Sequence, residues 1–132
     1  MTTYDSDASP ALLQNALRGN AMFSAVSAFV LLLGGAHLAE RIGVPTAIVY
    51  LLGVGLLPWA AFAWWTSRTL ARWAVIAIIA GDIAWVVGAI VVVFGLSDEM
   101  TSQGVWGLVV VSVAVAAFGV VQAIGFRRIH AA

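Results

Sequence analysis

The sequence predicts an all-α integral membrane four-helix bundle with four transmembrane spans and both termini cytoplasmic. Three observations predict it. The chain is 63% hydrophobic and only 9% charged, whereas soluble domains are usually about a quarter charged. Four apolar stretches lie at about residues 20–39, 46–65, 74–96 and 105–126. At about 1.5 Å of helix rise per residue, each can cross a hydrocarbon core about 30 Å thick. Arginines also gather at one set of span ends: Arg18, Arg68, Arg72, Arg127 and Arg128 flank one side and only Arg41 the other. That bias places the first group in the cytoplasm and argues against insertion in both directions. A single membrane domain then covers residues 1–132, with a short cytoplasmic segment at 1–19.

Taken in order, Met1 to Pro10 is polar and acidic and lacks the basic region of a cleavable signal, so the first apolar segment is expected to stay as an anchor. Ser9 followed by Pro10 reads as a helix start, because Ser can cap free amides and Pro tolerates the first helical position. A mildly amphipathic stretch leads to Asn20 and span one. Gly43 and Pro45 end that span, since Gly suits a helix C-terminus and the residue before Pro is biased out of the α region. The turn is short enough to make spans one and two antiparallel neighbours. Span two contains Gly53, Gly55 and Pro58, and a kink is expected there because Pro58 cannot donate to the Val54 carbonyl. Trp59, Trp64, Trp65 and Trp73 cluster around the following turn, where indole rings suit the membrane boundary. A linker at residues 66–72 leads into span three, which ends where Gly95, Ser97, Asp98 and Glu99 break the apolar run. Span four closes on Arg127 and Arg128. Small residues recur at four-residue spacing as Ala80, Ala84 and Gly88 on span three, Ser24 and Ala28 on span one, and Gly119 and Ala123 on span four. Such spacing lets helix backbones approach.

Composition excludes several functions. Six arginines balance six acids and no lysine is present, so no basic tract exists to bind nucleic acid. With no cysteine, disulfides, thiolate metal sites and thiol nucleophiles are absent. His37 is expected near the outer boundary and His130 in the tail on the opposite side, so the pair cannot share a metal or haem. Ser24, Ser27 and Ser112 have no histidine at matching depth, and no phosphate loop or dinucleotide fingerprint occurs. No catalytic residues, cofactor or metal are expected, and the chain is not expected to be an enzyme.

Asp82 is the ionisable residue inside span three. A carboxylate at lipid depth costs at least about 2.5 kcal/mol, so it should face the bundle interior with a partner or be neutral. Nine residues beyond Trp73, it lies roughly 13 Å inward from the boundary. Counting inward on the other spans brings Asn20, Ser24, Ser27, Trp59 and Gln122 into the same half. The expected intramembrane polar cluster is therefore Asp82, Asn20, Ser24, Ser27, Trp59 and Gln122. Structurally, such groups pair because unpaired polar atoms in hydrocarbon are costly. Functionally, Asp82 could serve as a proton or cation site at the base of a cytoplasm-facing cavity lined by Trp59 and Trp85.

The layout of Asn20-Ala-Met-Phe-Ser24, Ile42-Gly-Val-Pro45 and Asp82-Ile-Ala-Trp85 resembles a group of small four-helix bacterial integral membrane proteins that carries no established activity. In size and span count the chain also resembles small multidrug resistance transporters, which use an embedded carboxylate to exchange protons for cationic drugs. Their essential acid is a Glu in the first helix, and span one here has no acid within its core. Arg without Lys, with abundant Ala, Val and Gly, fits a GC-rich bacterium, which makes the bacterial cytoplasmic membrane the expected location. The expected function is that of a noncatalytic membrane protein, a complex subunit or homo-oligomeric packing module whose partners are the lipid bilayer and other membrane chains. The alternative is a proton-coupled transporter or small-ligand or lipid binder using Asp82.

Overall fold

The computed structural model describes the backbone of residues 2–96 and 98–130 and the side chains of residues 10–96 and 98–129. It contains four helices: α1 (Thr2–Ile42), α2 (Thr46–Thr69), α3 (Arg72–Leu96) and α4 (Ser102–His130). Each is long and apolar enough to cross a membrane. Around the bundle the order is α2, α1, α4, α3, because α1 packs on α2 and α4, and α3 packs on α4. The connections are short, at residues 43–45, 70–71 and 97–101, so successive helices run antiparallel. The facing of Gly19 to Phe118 and of Gly125 to Leu13 sets α1 against α4 in the same sense.

The largest departure from expectation is α1. Instead of starting at Ser9 and Pro10, the helix begins at Thr2 and carries Pro10 in its interior; the Ser9 side chain lies outside the described residues. A proline there removes one backbone bond. C-terminal to it the helix packs into the core. Leu13 and Leu17 are 1% and 0% exposed and form one cluster with Ala21, Ala63, Val75 and Ile78. Trp59, Phe62 and Leu70 pack against the same cluster. One face of residues 10–19 thus joins the core at the Arg-rich end, with Leu13, Ala16 and Leu17 buried and Ala11, Asn15 and Arg18 exposed.

α2 continues as one helix through Pro58, and α1 leaves helical dihedrals at Gly35 (φ 4°, ψ −94°). There the Tyr50 side chain occupies the space a Cβ would need. Two further expectations are corrected. The linker after span two shrinks to two residues: α2 continues to Thr69 and ends on Leu70 in the left-handed region (φ 52°), whose N–H donates to the Thr66 carbonyl at 2.7 Å. The αL position that a glycine usually fills is held by a leucine because its side chain packs into the core. The Ala80, Ala84 and Gly88 stripe faces out of the bundle, with all three residues exposed. Ser24, Ala28 and Gly119 do sit at helix contacts.

At the far end, the turns tie α1 to α4. Gly43 adopts φ 80°, a region that favours glycine, and it packs under the backbone of Glu99 to Thr101. The Thr101 hydroxyl donates to the Arg41 carbonyl at 2.6 Å and accepts from the Gly104 N–H at 3.0 Å, capping α4. Ser97, expected to help break span three, lies outside the described residues.

Candidate functional site

Asp82 projects from α3 into the bundle ten residues after Arg72, about 15 Å along the helix. Its side chain is 4% exposed and is met by Asn20 of α1 (3%) and Gln122 of α4 (0%). The Asn20 Nδ2 donates to both Asp82 oxygens, at 3.3 Å to Oδ1 and 3.1 Å to Oδ2. The Gln122 Nε2 donates to Asp82 Oδ2 at 2.7 Å. The amides also bond each other, Asn20 Nδ2 to Gln122 Oε1 at 2.9 Å. Ser24, one turn along α1, donates to Asn20 Oδ1 at 3.4 Å. Four of the six residues expected in the polar cluster thus meet in one hydrogen-bonded network spanning three helices.

The geometry follows from helix rotation and reach. Among the described residues no Cα of α1 lies within 8 Å of one of α3, so these two helices face each other across the bundle diagonal. At the level of Asp82 the Asn20 side chain bridges that gap. On the α4 side the wall is close: a Cβ built on Gly119 would stand 3.5 Å from the Asp82 Cβ. All the donors are neutral amides, and among the described residues no arginine or histidine reaches Asp82. The arrangement holds a carboxyl group in fixed geometry by amide hydrogen bonds from two directions. Each such interhelical bond contributes on the order of 0.6 to 1.7 kcal/mol in a membrane setting, while an unpartnered buried amide costs about 1–3 kcal/mol.

Trp59 and Ser27 stand outside the network. Ser27 is half-buried, two turns along α1 from Asn20. Trp59 lies with its ring edge on Gly81, the neighbour of Asp82, occupying the space that any larger side chain would need. It thereby fills the loose seam between α2 and α3. The seam is closed toward the Arg-rich end by an aromatic run: Trp59 to Phe62 at 6.3 Å, Phe62 to Trp65 at 6.1 Å, and Trp65 to Trp73 at 5.8 Å between ring centroids. The boundary role expected for this tryptophan cluster is compatible with the exposure of Trp64, Trp65 and Trp73.

Among the described residues, two buried polar atoms have no hydrogen-bond partner, the Trp85 indole N–H and the Ser112 hydroxyl. A cleft of about 280 Å³ between α3 and α4 reaches Asp82 and is lined by Ile79, Ile83, Val86, Ala116, Gly119, Val120 and Ala123. Its walls come from α3 and α4, without Trp59 or Trp85. His37 is exposed near the opposite end of α1, and the side chain of His130 lies outside the described residues. Among the described residues no three His, Asp or Glu side chains gather where a metal could bind.

Depth counting was sufficient to find Asp82, Asn20 and Gln122, because span length and boundary arginines fix depth. It could not separate Ser24, one turn from Asn20 and bonded to it, from Ser27, which lies a further turn along the same helix. The cleft wall of α4 and the Gly81 seat for Trp59 carried no recognisable signal. Comparison with protein-family models, with curated proteins and with solved structures gives no match to this chain, so neither the resemblance drawn from its motifs nor the one drawn from size and span count gains support there.

Proposed function

We propose that the protein is a noncatalytic integral membrane module, a subunit of a larger membrane complex or a homo-oligomeric packing unit, in which the Asp82, Asn20 and Gln122 triad fixes the arrangement of α1, α3 and α4. The observation that carries this reading is the enclosure of Asp82: both carboxylate oxygens accept hydrogen bonds from buried amides. A carboxyl group so held acts as a clasp between helices. The connections of two to five residues add support, because the polypeptide is almost wholly in the helices. On this reading the protein sits in a bacterial inner membrane with its Arg-rich end and both termini cytoplasmic, in line with the arginine bias.

Native mass spectrometry from mild detergent tests the assembly, with retained copies or partner chains as the expected result. Liposomes that contain the protein and a pH-sensitive dye test the clasp. Proton flux equal to that of empty liposomes is expected; flux lost on Asp82→Asn with the fold intact would overturn the reading. A second reading, a proton-coupled transporter or small-ligand binder, draws on the cleft that reaches Asp82 between α3 and α4. Its discriminating result is that same flux, or a small molecule retained by the wild type and released by Gly119→Leu, which fills the cleft floor.

A further inference from the structure

A second cavity lies elsewhere, a groove in the outer surface between α1 and α2 at the Arg-rich end, with a volume of about 730 Å³. That lies within the range of about 300–1,000 Å³ usual for small-molecule sites. Its floor is made of alanines on both helices: Ala21 and Ala60, 3% and 8% exposed, with Ala25 beside them. Trp64, Trp65 and Arg68 form the rim on α2. From α1 the Arg18 guanidinium lies 5.7 Å from the centre of the Trp64 ring. Arg68 is one turn nearer the helix end, about 6 Å further along the axis.

The groove therefore grades from an apolar floor to a doubly cationic, indole-lined mouth. Neither guanidinium pairs with a carboxylate among the described residues. The described acids are remote or enclosed: Glu40, Asp98 and Glu99 belong to the opposite end, and Asp82 is held by Asn20 and Gln122. Among the described residues Arg18 and Arg68 are uncompensated cations, and they stand toward the end of the apolar helices beside a groove of acyl-chain character.

We propose that this groove binds an anionic phospholipid, with its phosphate between Arg18 and Arg68, its head group against Trp64 and Trp65, and the upper part of an acyl chain along Ala21, Ala25 and Ala60. Guanidinium groups suit phosphate oxygens through paired N–H donors, and basic pockets between spanning helices recognise such head groups. A zwitterionic lipid would bring an ammonium against the two arginines. A second copy in the same orientation would carry its exposed described acids, Glu40, Asp98 and Glu99, at the opposite end, away from those cations. The site is independent of the Asp82 clasp and shares no residue with it.

The test uses purified full-length protein in neutral detergent, titrated with phosphatidylglycerol or phosphatidylcholine and followed by native mass spectrometry and thermal melting. The wild type is expected to retain one phosphatidylglycerol in preference to phosphatidylcholine and to melt higher with it. The double substitution Arg18→Gln and Arg68→Gln should weaken phosphatidylglycerol binding about thirtyfold, from about 1 kcal/mol for each basic contact. Ala61→Phe, which fills the groove from an exposed position and leaves the charges in place, should lose the lipid as well. Arg127→Gln with Arg128→Gln should not. Equal retention of the two lipids, or equal losses in both arginine pairs, would overturn the proposal. So would an equal melting shift with glycerol phosphate alone, or an oligomer that dissociates when Arg18 and Arg68 are replaced, since each assigns the groove another occupant. Variants are compared in phosphatidylcholine first, where unchanged melting separates a binding loss from a folding loss.

Discussion

Asn20 and Asp82 are joined by a forked hydrogen bond, with one amide nitrogen 3.3 and 3.1 Å from the two carboxylate oxygens, across helices whose backbones do not touch. Gln122 completes the arrangement from a third helix at 2.7 Å. Removing one partner leaves the others buried and unpaired. Gln122→Leu is expected to lower stability by about 1–3 kcal/mol, measured by unfolding in mixed detergent. Replacing Asp82, Asn20 and Gln122 together by leucine should cost much less than the sum of the single changes, because no polar group is then stranded. Additive losses would show that the three side chains do not act as one unit.

Leu13 distinguishes a buried first helix from a surface segment. At 1% exposed and packed at Gly125 of α4, Leu13→Ala is expected to destabilise by about 2–5 kcal/mol, the range for an emptied core position. A surface leucine would change stability by less than about 0.5 kcal/mol. The melting temperature decides between them.

Gly81 seats the Trp59 ring against α3. Gly81→Val should force that ring away at a cost of about 1–3 kcal/mol, as overpacking does. Tryptophan fluorescence should report the displaced indole, and a second change, Trp59→Ala, should recover part of the loss by making room. No recovery would mean that the two residues are not in contact.

Thr101 couples the far ends of α1 and α4. Thr101→Val keeps the shape and removes both the bond to the Arg41 carbonyl and the cap on Gly104. A loss of about 0.5–2 kcal/mol is expected, the usual range for a helix cap. Amide exchange should quicken at the start of α4 and leave the Asp82 region unchanged.

What the sequence by itself determined is the set of four helices and the depth of each residue along them. Length, hydropathy and boundary residues are properties of a local stretch. In hydrocarbon, a helix satisfies its own backbone without a neighbour. Depth alone was enough to place Asp82 with Asn20 and Gln122. The tertiary structure decided which face each helix turns inward. These helices are apolar on every side, so no amphipathic pattern marks the buried stripe. The outward Ala80, Ala84 and Gly88 and the Trp59 seat on Gly81 both depend on rotation about a helix axis. So does the burial of Leu13 and Leu17 just past Pro10, which join Ala63 of α2 and Val75 and Ile78 of α3 in one cluster.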